Sequence, residues 1–222
     1  GGGTTDFSLI EVAGEGEKHV FRRMAVGDHL LLGGDNMDAA VAHLLESKLQ
    51  KSGEELSSLQ RMQLLYEARK VKEEAFSFTD EDGKSNVVIQ CSGSRVVGGS
   101  ITLEVPFREI RDLLLAGFFP VIPWAEAVQL KKASGLRSMG LPYEDDPSVT
   151  KHLARFLSSG GEGEKRPAMP DLVLFNGGAM KPKPFQEAIV SSLRLWFPGK
   201  QVEILPTESL DLAVALGAAY YG

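Results

Sequence analysis

The stretch Leu172-Val173-Leu174-Phe175-Asn176-Gly177-Gly178-Ala179-Met180-Lys181-Pro182 decides the fold. Four consecutive apolar residues suit a buried strand; two glycines then stop it, and a proline stands where a helix would begin. Downstream, Phe185, Ala188, Ile189, Ser192, Leu193 and Trp196 recur at helical spacing. Val202 to Leu205 reads as a second buried strand, and Leu210 to Tyr220 as a helix of small residues. Strand, helix, strand, helix is the order of an α/β protein.

Upstream of this block, Ser158 to Pro170 is a loop rich in Gly, Glu, Lys and Pro. Before it, Pro123 starts one helix, and Pro106 starts another that ends near Gly117. Asn86 to Cys91 and Ser100 to Val105 are β-rich and flank a turn at Gly98-Gly99. Two helices precede them. One runs from about Asn36 to Gln50, capped by Asp35, with Met37, Val41, Leu44, Leu45 and Leu49 on one face. The other runs from about Glu54 to Phe76, with Leu56, Leu59, Leu64, Ala68, Val71 and Ala75 at helical spacing and a charged opposite face. The chain opens with a hairpin: Asp6 to Gly14 with Phe7, Leu9 and Val12 inward, a Gly-Glu-Gly turn, then Lys18 to Val26.

Composition narrows the function. Of 222 residues, 43% are hydrophobic and 24% charged, as expected of a soluble globular protein. The net charge of −6, with no basic run longer than two residues, argues against a nucleic-acid surface. Leu113 to Ala125, the longest mostly apolar stretch, is too short for a membrane span and is broken by Gly117, Pro120 and Pro123. One cysteine, Cys91, can form neither an internal disulfide nor a metal cluster, which fits a reducing, cytoplasmic setting. The glycine triplet at the start, with no initiator Met, reads as a cut inside a motif and so as an excised fragment.

Three glycine bends are the chemical candidates. In Gly1-Gly2-Gly3-Thr4, residues without Cβ let backbone N–H groups approach an anion, and the threonine hydroxyl adds a donor. Asp6, two residues on, could hold a metal-bound water. Taken alone, the triplet reads equally as a linker. Gly33-Gly34-Asp35 precedes a helix N-terminus, where unpaired N–H groups favour anions or hydroxyls, but also reads as a tight turn with a cap. Gly177-Gly178-Ala179 lies between strand and helix, where nucleotides meet a sheet's carboxyl edge, or is simply a sharp turn. The spacing is neither a Rossmann fingerprint nor a Walker loop. His19, His29, His43 and His152 are scattered and read as surface or packing residues, and the Ser92 to Gly99 region holds no G-x-S-x-G elbow.

The order of the three bends carries a resemblance. Gly1-Gly2-Gly3-Thr4 with Asp6, a hairpin, then Gly27-Asp28, Leu31 and Gly33-Gly34-Asp35-Asn36-Met37-Asp38 into a helix resembles the second phosphate motif and following segment of the DnaK-like 70-kDa heat-shock family, within the actin-like ATPases. Leu172 to Pro182 is similar to that family's adenosine motif, and Asp211 to Ala219 to its closing helix. The resemblance covers most of the chain. It implies an α/β, ribonuclease H-like lobe of mixed sheet flanked by helices, built from residues 1–38 and 168–222, with a smaller α/β subdomain, 39–167, inserted.

The resemblance also implies a site for ATP or ADP with Mg²⁺. Gly1, Gly2, Gly3 and Thr4 would form its phosphate stretch, and Asp6 would orient Mg²⁺-bound water, making Thr4 and Asp6 the catalytic pair. Gly34 and Asp35 would face the ribose, and Gly177, Gly178, Ala179 and Lys181 the α-phosphate and adenine. Lys72 would close over the adenosine, and Asp211 would line the purine pocket. The insert would rotate about hinges near Gly33-Gly34 and the 158–170 loop. Partners would be the family's opposing first lobe, expected upstream of Gly1, together with client polypeptides and co-chaperones.

The chain departs from that pattern. Ala179-Met180-Lys181 stands where Ser-Thr-Arg is usual, exchanging a planar stacking guanidinium for an ammonium. Arg69 and Phe76 replace a usual glutamate and serine, and the segment from Leu141-Pro142 to Pro170 is long. These changes mark a divergent branch. They leave two other readings open: a small-molecule kinase of the superfamily, and a degenerate module that no longer hydrolyses and instead binds nucleotide or protein. Without the opposing lobe, the fragment is expected to bind ATP weakly or not at all and to lack ATPase activity.

Overall fold

The computed structural model describes residues 2–14, 19–78, 80, 82–90, 99–129, 146–159 and 167–221. It is mixed α/β, and the strands among these residues form three separate two-stranded sheets. Gly1, the Gly-Glu-Gly turn beyond Gly14, Cys91 and the Gly98 bend lie outside the described residues. The chain divides into two compact units, Gly1–Gly34 with Gly117–Gly222, and Asp35–Ala116.

The second unit is built on helix α1 (Gly34–Lys51), helix α2 (Ser58–Ser77), strands β3 (Lys84–Gln90) and β4 (Ser100–Pro106), and helix α3 (Phe107–Phe118). In α1, Met37, Val41, Leu45 and Leu49 are buried along one stripe, as their spacing predicts. Asp35 lies within the first turn of α1 rather than ahead of it as a cap. Helix α2 starts late because Ser57 and Gln60 close a capping box: Gln60 N–H donates to Ser57 Oγ at 3.4 Å and Ser57 N–H donates to Gln60 Oε1 at 2.9 Å. From that start, Leu64, Ala68, Val71 and Ala75 face inward. Leu59 does not: at roughly 100° per residue it points away from Ala68, and it is 67% exposed.

Strand β3 alternates strictly, burying Ser85, Val87 and Ile89, and pairs antiparallel with β4 from Lys84↔Pro106 to Gln90↔Ser100. Helix α2 packs on β3, and its polar face hydrogen-bonds along it: Ser85 Oγ donates to Glu74 Oε2 at 2.6 Å, and Gln60 Nε2 to the Gln90 carbonyl at 3.2 Å. The Arg111 guanidinium closes the far end of α2, donating to the carbonyls of Ala75 and Phe78, each at 2.6 Å.

The first unit begins with strands β1 (Ser8–Ala13) and β2 (Val20–Val26), an antiparallel hairpin whose register shifts between Leu9 and Ile10. Val12, expected inward, is 55% exposed, because the hairpin pairs with no further strand among the described residues. The base of the hairpin rests on helix α5 (Val149–Ser158). Phe7 stacks on Phe156 at 5.7 Å, and a Cβ on Gly27 would meet the Phe156 ring at 3.2 Å.

Helix α4 is a single turn, Trp124–Ala127, and precedes α5. Helix α6 (Lys183–Trp196) follows Pro182 as expected and buries Phe185, Ile189, Val190, Ser192, Leu193 and Trp196. Phe119 stacks on Phe185 at 4.4 Å, and Trp124 meets Trp196 edge-on at 5.6 Å. Strands β5 (Leu172–Val173) and β6 (Glu203–Ile204) are parallel but only two residues long. The expected buried strands are therefore corrected. Phe175 and Val202 are buried, whereas Leu172, Leu174, Ile204 and Leu205 stay partly in water, Leu174 at 55%. A two-residue ladder with one neighbour covers too little of the strand to bury it. Helix α7 (Ala213–Tyr221) ends the described chain.

The sequence reading sets the inserted subdomain at 39–167, while the compact division falls at 34/35 and 116/117. Residues 117–129 and 146–159 group with the first unit through the Trp196 Nε1 bond to the Ile122 carbonyl (2.8 Å), the Thr150 bond to the Pro120 carbonyl (2.8 Å), and the Phe7–Phe156 stack.

Candidate functional site

Within the first unit, the three bends meet. Thr5 bridges to Leu30 and its hydroxyl donates to the Leu32 carbonyl at 2.6 Å, which draws the amino-terminal segment alongside the approach to Gly33-Gly34. Gly34 is buried. A Cβ built on it would stand 3.8 Å from both Cα and O of Gly2, and 3.8 Å from Cβ of Ala179. Segments far apart in sequence thus converge on Gly34, where the absence of a side chain lets them pack close to its backbone.

The third bend is shaped for this position. Gly177 has φ 87° and ψ 146°, a conformation that side-chain-bearing residues avoid, and leads into a 3₁₀ turn at Gly178–Met180. Its N–H donates to the Leu210 carbonyl at 2.8 Å, fastening the bend to the segment before α7. Lys181 and Asp211 form an ion pair across this seam. Asp211 Oδ1 would lie 2.9 Å from a Cβ on Gly178, so glycine is what lets the carboxylate lie there.

Asp6 is exposed, and its Oδ1 is in hydrogen-bond contact with Nδ1 of His29. His29 therefore has a specific partner, which its isolated position in the sequence does not suggest. Thr4 is half-buried, and Gly2 and Gly3 are exposed. Among the described residues, no group of three His, Cys, Asp or Glu side chains could hold a metal ion directly.

In the second unit, Lys72 is paired within the chain. Its ammonium is 2.5 Å from Oδ1 of Asp38, an otherwise unpartnered buried atom. Arg69 bonds Glu73 at 3.3 Å, and its pKa is held above the ordinary arginine value first by that hydrogen bond and Glu73's charge, then by Asp38 and Asp35. Phe76 is half-buried, and Asp35 is exposed.

Gly2, Gly34, Gly178, Ala179, Lys181 and Asp211 are thus gathered in one unit. Asp35 and Lys72 belong to the other, and Gly1 lies outside the described residues. A separate groove of about 320 Å³, lined by Glu187, Val190, Ser191, Arg194 and Ile204, involves none of the expected residues. No helix among the described residues is long and apolar enough to cross a membrane. No known family model matches the chain, and no curated protein is significantly similar to it.

Proposed function

We propose that this chain is one lobe of an actin-like ATPase domain, of the kind carried by DnaK-like chaperones, and that its glycine ledge takes the phosphates and sugar of ATP or ADP. The observation that carries the reading is the convergence on Gly34 of Gly2 from the amino terminus and Ala179 from the third bend. Two glycines side by side, with nothing larger than the Ala179 methyl beside them, suit close backbone contact with an anion.

The residues present suit such a ligand. Gly2, Gly3 and Thr4 would offer N–H and hydroxyl donors to phosphate oxygens. Lys181 supplies a cation beside the third bend, and Asp6 a carboxylate able to hold a water of Mg²⁺. Bound Mg²⁺-ATP would supply the transferable phosphoryl group and the metal's charge. The chain's own part is to position the nucleotide and to place fixed donors around it. The exposed apolar residues of β1, β2, β5, β6 and α7 are those a lobe would bury against the remainder of its domain.

One observation favours the degenerate reading. Asp6, Lys72, Lys181 and Asp211, four of the charged groups assigned to nucleotide, each contact a neighbour in the chain: His29, Asp38 and each other. Calorimetric titration of the intact protein with Mg²⁺-ATP, followed by a turnover assay, separates the readings. Binding with hydrolysis supports the ATPase, and binding without turnover the degenerate module. No binding of ATP or ADP sinks the ATPase and leaves the degenerate module only its protein-binding form. The isolated chain should bind ATP weakly or not at all, and micromolar affinity there would show that the ledge needs no second lobe.

A further inference from the structure

Lys181 and Asp211 approach each other across the seam between the third bend and the segment before α7. Three contacts meet there: the ion pair through Asp211 Oδ2, the 2.8 Å bond from Gly177 N–H to the Leu210 carbonyl, and Asp211 Oδ1 lying over Gly178. Both charged side chains stay wet, 59% and 51% exposed, so the ion pair adds little to fold stability. Its effect falls on whatever else the ammonium could hold.

We infer that Asp211 is an internal competitor for nucleotide phosphate. Its carboxylate occupies the Lys181 ammonium, and an anionic ligand reaching the ledge must displace it. This rests on the nucleotide reading above. The ligand class that competes is a nucleoside di- or triphosphate rather than a nucleoside, because only phosphate oxygens carry the charge to exchange with a carboxylate on an ammonium. Lysine suits an exchange of this kind. Its point-like charge on a flexible stem swings between acceptors, whereas a guanidinium holds a carboxylate through two fixed bonds. Asp211 is then a positioning residue that sets how readily phosphate, not base, is accepted.

The test is calorimetry on the intact protein with ADP and with adenosine, comparing wild type, Asp211→Asn, Lys181→Ala and the double variant. Asp211→Asn should bind ADP about three- to fivefold more tightly, the range open to an exposed pair, and should gain more for ADP than for adenosine. Lys181→Ala should weaken ADP binding, and in its background Asp211→Asn should bring no gain. An unchanged melting temperature for Asp211→Asn would separate this effect from a structural one. If wild type binds ADP and Asp211→Asn binds it equally or less tightly, the competitor role is overturned while the nucleotide reading stands. If adenosine weakens together with ADP, Asp211 contacts the base instead, and the inference fails. If neither ligand binds wild type or any variant, both readings fall.

Discussion

Nζ of Lys72 lies 2.5 Å from Oδ1 of Asp38, joining α2 to α1 through an ion pair whose side chains are only 15% and 8% exposed. Removing one partner of a fully buried pair costs about 3–5 kcal/mol, and the residual exposure of Lys72 lets water relieve part of that. Asp38→Ala should therefore destabilise the second unit by about 1–3 kcal/mol. Replacing both, Asp38→Leu with Lys72→Met, should return most of the loss, because no charge is then left without a partner. Urea denaturation followed by circular dichroism checks this. An Asp38→Ala chain as stable as wild type would mean that solvent already screens the pair.

Both tryptophans of the chain, Trp124 and Trp196, belong to the first unit, so their fluorescence reports on that unit alone. Trp196 fills the space between α4 and α6 and donates from Nε1 to the Ile122 carbonyl at 2.8 Å. Trp196→Phe keeps a ring but strands that carbonyl, for an expected cost of about 1–3 kcal/mol. Trp196→Ala should cost about 3–5 kcal/mol by opening a cavity. Thermal melts of the two variants should fall in that order, and a Trp196→Phe melting temperature equal to that of wild type would refute the role given to the hydrogen bond.

How much of this was legible beforehand depended on the kind of contact. Helices α1 and α6 were readable because Met37, Val41, Leu45 and Leu49, and then Phe185, Ile189, Leu193 and Trp196, are both apolar and buried. Helix α5 was missed because part of its buried face is polar. Thr150 and His152 are buried with their side chains bonded to the carbonyls of Pro120 and Asp146, so hydropathy does not mark them. The run Leu172 to Phe175 misled in the opposite direction, since apolar composition does not show how many neighbouring strands will cover it. At the site, the glycines could be read because a missing side chain has a local meaning. The partners of Asp6, Lys72 and Lys181 lie far along the chain, and nothing in sequence spacing selects them.

The hairpin presents a second kind of exposed surface. The pairs Ser8↔Val26, Ile10↔Arg23 and Val12↔Phe21 put Ile10, Val12, Phe21 and Val26 on one face, and each is more than half exposed. An apolar sheet face beside an open edge favours association between chains. The isolated chain should self-associate as concentration rises, and Phe21→Lys with Val12→Thr should shift it toward monomer. Sedimentation velocity across a concentration series measures this, and a wild-type chain monomeric throughout would count against the face being adhesive.

Gly34 offers the most direct probe of the ledge, because folding and binding should respond to it differently. It is the first residue of α1, and a Cβ there would meet Gly2 and Ala179 at ordinary contact distances of 3.8 Å, with no clash. Gly34→Ala should therefore fold normally, with stability within about 1 kcal/mol of wild type, because alanine also favours the helix. The added methyl nevertheless occupies the point where the Gly2 backbone and the Ala179 side chain come closest, and there it would keep a phosphate or sugar from approaching the chain. Nucleotide affinity of the intact protein should fall about tenfold or more, the equivalent of roughly 1.4 kcal/mol. Gly34→Val, with a branched side chain, should abolish binding. If Gly34→Ala binds Mg²⁺-ADP as wild type does while wild-type binding is itself established, the nucleotide lies elsewhere and the convergence of Gly2, Gly34 and Ala179 is architecture alone.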